Sequence, residues 1–259
     1  MSTTMRDYED LVHEALTADV TGWDFTWLDG RASEERPPWG YTRQLAQRLA
    51  HASSALDLDT GGGEIIAAVP TLPPRMTVTE GWEPNATRAR ALLQPRGVQV
   101  VHTGTDHLPF PDATFDLVTS RHPVAPAWNQ IARVLRTDGT YFAQHVGPAS
   151  ALELIEHFLG PLAPPFARDP EQETVDAQQA GLHVVHRSTA RCRMEFHDIG
   201  AIVWILRKCV WWVPDFSTER YEPQLRALDA RMRAGEPVVA HSTRTLFEAR
   251  RTERPVAQP

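Results

Sequence analysis

Residues 53–64 read SSALDLDTGGGE, a short apolar run that ends in three consecutive glycines. Gly61, Gly62 and Gly63 carry no Cβ, so the backbone amides there can lie directly against a ligand. Between a strand and a helix, such a turn commonly holds a pyrophosphate, with an acid about 20 residues later for a ribose. Glu80 follows Gly63 by 17 residues and ends the next apolar run, so a ribose-binding carboxylate is in position. Asp57 and Asp59 change the first half of that reading. They stand two apart on an expected strand, hence on one face of it. Two carboxylates beside the turn repel a phosphate and attract an ammonium. The expected ligand therefore joins a ribose to a cationic end.

The elements that must position these groups alternate. Strand-like runs occupy residues 55–58, 76–79, 98–102, 115–120 and 140–145, with helical or turn-like stretches at 64–69, 85–93 and 128–135 between them. That order predicts an α/β fold with parallel strands and helices on both faces. Upstream, helical spacing at 7–18 and 40–52 flanks a loop dense in Trp, Gly and Pro. After residue 150 the alternation lapses into strand-like segments at 181–189 and 191–198, an apolar helix near 199–206, a polar helix near 224–233 and a strand near 245–249. We read a single domain: 1–45 a helical and aromatic cap, 46–150 a cofactor-binding core, 151–250 a variable region with the apolar helix and final strands, and 251–259 a flexible tail.

Composition narrows the partners. A formal charge of -7, from 33 acids against 26 bases, argues against a surface built for nucleic acid backbones. Two cysteines, Cys192 and Cys209, cannot form a disulfide framework and suit a reducing cytoplasm. The amino terminus lacks the basic start and apolar run of a signal peptide. Only eight apolar residues, Ile199 to Leu206, precede Arg207 and Lys208, too few to span a bilayer. Among 11 histidines, Glu195–Asp198 is the only compact His/acid cluster late in the chain, and no Cys-x-x-Cys or His-Glu-x-x-His spacing occurs, so no metal is expected.

S-adenosylmethionine carries a ribose, an adenine and a cationic amino acid end. ALDLDTGGGE resembles the first motif of class I S-adenosylmethionine-dependent methyltransferases, and VTEGW the second, with Glu80 as the ribose acid. DHLPFPDATFDLVTSRH resembles the third and fourth motifs, and IARVLRTDGTYFAQHVG the helix, turn and strand that follow. The four blocks cover about residues 50–147 in the family's order. The nearest likeness is to a bacterial type 11-like subgroup with a Thr-Gly-Gly-Gly-Glu first motif and a late apolar helix, here with Asp198, Gly200 and Ala201. The resemblance implies a Rossmann-like, mostly parallel seven-stranded sheet with an aromatic lid, and S-adenosylmethionine held by Asp57, Asp59, Thr60, Gly61, Gly62, Gly63, Glu80 and Gly81. Where the family has its adenine-side acid this chain has Gly104, which leaves Asp106 and the backbone near Thr105 to read the adenine. The family usually has glycine at position 59. Asp59 either contacts the ligand's ammonium or caps the turn.

Methyl transfer from a sulfonium is an in-line displacement that requires an aligned acceptor and, for some acceptors, removal of a proton. His122 and His145 follow and end the fourth and fifth core strands, a rim where a general base would sit. Either could instead be satisfied within the fold. Arg121 suits a carboxylate of acceptor or cofactor. Trp39 and Tyr41 before the motif, and Trp204 and Trp211 after it, fit the family's lid over a flat or apolar molecule, or alternatively plain packing. The resulting expectation is O- or N-methylation of a small molecule by a monomer or homodimer. Methylation of RNA or protein would need a basic face, for which Arg187, Arg191 and Arg193, or Arg250, Arg251 and Arg254, are the candidates. A non-catalytic cofactor-binding protein of the same fold is the third reading.

Overall fold

The computed structural model describes residues 6–164 and 167–252. Its helices are α1 (Tyr8–Thr17), α2 (Tyr41–His51), α3 (Glu64–Ala67), α4 (Glu83–Leu93), α5 (Trp128–Val134), α6 (Leu152–Leu159), α7 (Pro170–Gln179), α8 (Ile199–Lys208) and α9 (Glu222–Arg233). Its strands are β1 (Ala32–Glu34), β2 (Ser54–Leu58), β3 (Arg75–Glu80), β4 (Gln99–His102), β5 (Phe115–Arg121), β6 (Leu135–Val146), β7 (Leu182–Phe196) and β8 (Val238–Arg251). They hydrogen-bond in the order β1-β7-β8-β6-β5-β2-β3-β4. The chain forms two compact units: Pro37–Pro148, Ala167–Ala190 and Arg244–Pro259 in one, and Met1–Arg36, Ala149–Phe166 and Arg191–Thr243 in the other.

The first of these units holds the alternating core. Strands β6, β5, β2, β3 and β4 run parallel, and β8 pairs antiparallel with β6. All five residues of β2 are buried, as a central parallel strand with covered faces requires. Successive strands add to one side of β2 as β3 and β4, and then to its other side as β5 and β6. The order therefore reverses between β2 and β5, and ligands of open α/β sheets bind beyond the carboxyl ends of the strands at such a point. Asp59 and Arg121 stand at those two ends. One hydrophobic cluster centres on Leu45, Leu49, Ile66 and Leu93, and another on Leu56, Ile131, Tyr141 and Phe247.

The helical or turn-like stretch expected over 64–69 is helical as far as Ala67, ahead of Pro70. The Arg96 guanidinium caps its free carbonyls, donating to Ala67 O and Val69 O, both at 2.7 Å.

The other unit is built on α8. The Asp198 carboxylate accepts from Ala201 N at 2.9 Å and so caps the helix, and every residue from Ile199 to Leu206 is buried. Gly200 allows α1 close: a Cβ there would stand 2.9 Å from Leu11 O. Among the described residues no helix is long and apolar enough to cross a membrane.

Three expectations change. The sheet has eight strands rather than seven, because Ala32–Glu34, inside the aromatic loop, pairs antiparallel with Met194–Phe196. The two strand-like segments at 181–198 form one continuous β7, since no turn residue separates them. The stretch after residue 150 contributes α6 and α7. Residues 253–259, most of the expected tail, lie outside the described residues, and Arg254 with them.

Candidate functional site

The glycine turn enters left-handed backbone at every second residue. Asp59 has φ 52°, Gly61 64° and Gly63 87°. Glycine adopts that region freely, and aspartate more readily than most other residues. This corrects the placement of Asp57 and Asp59 on one strand face. β2 ends at Leu58, and the turn of the backbone at Asp59 breaks the alternation. At Gly63 a Cβ would meet Leu93 Cδ1 at 2.7 Å, so the turn packs on α4 only with glycine there.

Glu80 ties the turn to β3. Its carboxylate accepts from Gly61 N at 2.8 Å and from Trp82 N at 2.9 Å. Each oxygen keeps a second lone pair for a hydroxyl donor. Thr60 N donates to Thr79 O at 3.0 Å, which fixes the bend from the other side. Beyond β4 the chain returns to the same place: Thr103 N donates to Glu80 O at 3.1 Å, and a Cβ on Gly81 would lie 3.6 Å from Gly104 Cα. Half-buried Thr105 and exposed Asp106 follow immediately. The structure thus brings Asp59–Gly63, Glu80–Gly81 and Gly104–Asp106 together at the carboxyl ends of β2, β3 and β4.

The electrostatics there suit a cation. Asp57, 6% exposed, accepts from Thr119 Oγ1 at 2.6 Å, and burial pushes its carboxyl up to about 6. Asp59 is pushed up to about 6 by burial and by the charges of Glu80 and Asp106. Carboxylates held above their ordinary range gain most from an incoming positive group. The donors and acceptors present fit a ribose with a cationic side chain, which is the chemistry of S-adenosylmethionine.

On the β5–β6 side, Arg121 pairs in register with Gln144, and His122 N donates to Gln144 O at 2.7 Å. His122 is left-handed, φ 59°, and half-buried. Its Nε2 lies 2.9 Å from Gln144 Nε2, and Gln144 Oε1 accepts from Trp39 Nε1 at 2.8 Å. Burial, together with Arg244 and Arg121, holds the His122 imidazole well below its ordinary value. Tyr41, stacked on Phe142 at 5.2 Å, donates its hydroxyl to Ser120 O at 3.1 Å.

His145 is not on the rim. It is fully buried, with Nε2 3.0 Å from the Tyr141 hydroxyl and Nδ1 2.7 Å from Glu173 Oε2. Strand alternation turns it inward while its neighbour Gln144 faces His122. Glu173 also accepts from Arg168 Nε at 2.8 Å, and Arg168 in turn donates to Pro123 O and Val124 O at 2.6 and 2.8 Å. Burial opposes ionisation of Glu173, but His145 and Arg168 outweigh it and hold its carboxyl below the usual range.

Trp204 and Trp211 belong to the other unit and differ from each other. Trp204 is 1% exposed, stacks on Trp27 at 5.5 Å and donates to Asp19 O at 3.1 Å, as a core residue does. Trp211 is 57% exposed, 6.0 Å from the ring of Trp23. No local pattern pointed to Gln144, Arg168 or Glu173. A groove of about 560 Å³ near Arg75, Gln99 and Phe110 lies at the opposite, amino-terminal ends of the strands and includes none of the expected site residues. Among the described residues no three His, Cys, Asp or Glu side chains group to hold a metal.

The family described as Methyltransferase domain matches residues 56–143, the segment that carries this turn and both flanks of the site. No curated protein matches the chain. Among solved structures, a candidate methyltransferase from Bacillus halodurans C-125 is 17% identical, with 82% of this chain and 98% of that one covered and a TM-score of 0.60. The YcgJ protein from Bacillus subtilis is 17% identical over 83% of this chain and 99% of that one, TM-score 0.57. The [4+2]-cyclase SpnF is 15% identical over 94% and 93%, TM-score 0.53. At such identities the likeness is one of fold.

Proposed function

We propose, for a chain whose methyltransferase domain and fold support an S-adenosylmethionine-dependent methyltransferase, that it transfers the methyl group to a small-molecule oxygen or nitrogen. The observation that carries this reading is the Glu80 carboxylate accepting from Gly61 N. It sets a ribose-binding acid against an open glycine backbone, with Asp57 and Asp59 alongside. When bound, the cofactor would supply an electrophilic methyl on a sulfonium. Glu80 holds the ribose hydroxyls, and Asp59, with Asp57 behind it, faces the ammonium. Thr60, Gly61, Gly62 and Gly63 supply backbone contacts, while Gly81, Thr105 and Asp106 border the adenine. Arg121 takes the carboxylate of cofactor or acceptor.

Trp39 and Tyr41 border the acceptor side; of the later pair, Trp211 is exposed, as a lid residue would be, and Trp204 is a core residue of its own unit. Proton removal by His145 is left out, because both of its ring nitrogens are engaged. Methylation of RNA or protein is disfavoured by the paired arginines: Arg187 meets Glu171, Arg191 meets Glu153 and Arg193 meets Glu195. Cys192 and Cys209, both buried and neither in a disulfide, suit a reducing cytoplasm, where the protein acts as a monomer or homodimer.

A second reading draws on the similar fold of a protein named as a cyclase: a cofactor-binding chain whose chemistry is not methyl transfer. Incubation with methyl-labelled S-adenosylmethionine and a panel of small hydroxy, amino and carboxylic compounds separates the two. Labelled product with stoichiometric S-adenosylhomocysteine supports methyl transfer. Tight binding of the cofactor without turnover on any compound supports the second reading.

A further inference from the structure

The Gln144 side chain bridges two rings, and its chemistry fixes the state of one of them. An indole N–H can only donate, so Trp39 Nε1 at 2.8 Å makes Gln144 Oε1 the acceptor end of the amide and Nε2 the donor end. That donor lies 2.9 Å from His122 Nε2, which is therefore the unprotonated ring nitrogen. The single ring proton sits on Nδ1. With its lone pair engaged, the imidazole is poorly placed to take a proton from a substrate. It can give a hydrogen bond.

The surroundings of His122 add a sign to that hydrogen bond. Arg121 at the end of β5, Arg244 of β8, Arg168 ahead of α7 and His145 of β6 are the groups that act on it electrostatically. Glu173 balances Arg168 through a 2.8 Å ion pair. Arg244 pairs in register with Val146, two residues beyond Gln144 on β6, so its guanidinium belongs to the same end of the sheet. A neutral donor beside guanidinium groups is a receptor for an anion. The location fits the acceptor end of the site: Leu58 pairs with Ser120, and Ser120 Oγ donates to Leu58 O at 3.2 Å, one residue from Asp59.

We propose that Gln144 and Trp39 lock His122 as a hydrogen-bond donor, and that the acceptor is a small-molecule carboxylate whose anionic oxygens meet His122 Nδ1 and the guanidinium of Arg121 or Arg244. This rests on the methyl-transfer reading of the site. Which atom of the molecule takes the methyl is independent of the contact.

The test has two arms. Nitrogen NMR of histidine-labelled, ligand-free protein reads the ring directly. His122 stays neutral and protonated on Nδ1 between about pH 5 and pH 8, and Gln144→Leu, which removes the donor facing Nε2, leaves the ring neutral but lets the Nε2-protonated tautomer appear. A wild-type ring that titrates near neutrality, or carries its proton on Nε2, overturns the proposal. In the second arm, protein saturated with S-adenosylhomocysteine is titrated with benzoate against benzamide and hexanoate against hexanamide. The carboxylates bind at least about tenfold tighter than their amides, and His122→Asn removes the preference while affinity for S-adenosylhomocysteine stays. Asparagine tolerates the left-handed backbone at position 122, so the fold survives that change. Equal binding of acids and amides, or no binding of either acid, overturns the proposal. Absence of S-adenosylhomocysteine binding would count against the methyl-transfer reading, while the NMR arm still judges the His122 lock.

Discussion

Replacement of Asp59 by asparagine separates two effects of one charge. Asparagine has nearly the same shape, tolerates φ 52°, and cannot ionise. In the unliganded fold, burial and the charges of Glu80 and Asp106 raise the Asp59 carboxyl from 3.8 to about 6. An acid whose pKa is higher in the folded state favours folding below its unfolded value, and that contribution is lost as pH rises through the folded one. Above pH 6, therefore, the ionised Asp59 opposes folding. About 2 pKa units at 1.36 kcal/mol each give a penalty on the order of 1–3 kcal/mol at pH 7. Asp59→Asn is expected to raise the stability of ligand-free protein at pH 7 by about that amount, several degrees in melting temperature, with the gain fading towards about pH 4. If Asp59 meets the ammonium as proposed, the same change weakens S-adenosylmethionine about ten- to a hundredfold. Urea melts at pH 5 and pH 7, paired with calorimetric titration, read both. If the variant is less stable than wild type at pH 7, the electrostatic account of the turn is wrong. If it is more stable but binds the cofactor as before, Asp59 is only a cap.

Other perturbations address the remaining parts of the site. Glu80→Gln keeps the shape but offers Gly61 N and Trp82 N at most one good acceptor, so the turn loses about 1–3 kcal/mol, and cofactor affinity falls further than stability alone explains; calorimetry and denaturant melts compare the two. Trp204→Ala empties a core position and costs about 3–5 kcal/mol in a denaturant melt. Trp211→Ala, on an exposed ring, changes stability by less than about 0.5 kcal/mol in the same melt.

Much of the fold could be read because it is locally encoded. Apolar runs placed β2 to β6 within a few residues, except that β6 begins five residues early, at Leu135. Asp198 and Gly200 marked α8 for physical reasons that the structure makes explicit, a cap and a close helix contact. Asp59 stands where the family usually has glycine, and its left-handed backbone defeated the inference that it shares a strand face with Asp57. What escaped the sequence is tertiary. Gln144 gains its meaning from Trp39, 105 residues away, and His145 from Glu173, 28 residues on, and no local pattern announces either pair. β1 is three residues long and exists only through pairing with β7. Aromatic content could not tell Trp204 from Trp211, because burial and exposure depend on what packs beside each ring.

The proposed site joins a bare-backbone turn, two raised aspartates and one glutamate, arranged to accept a cationic nucleoside. Titration of purified wild-type protein with S-adenosylmethionine, S-adenosylhomocysteine and NAD in a calorimeter tests this most directly. One molecule of each adenosyl ligand should bind per chain at micromolar concentrations, the charged sulfonium more tightly as pH rises from about 5 to 7, and NAD should not bind. Heat from NAD alone, or none from either adenosyl compound with folded protein, would contradict it.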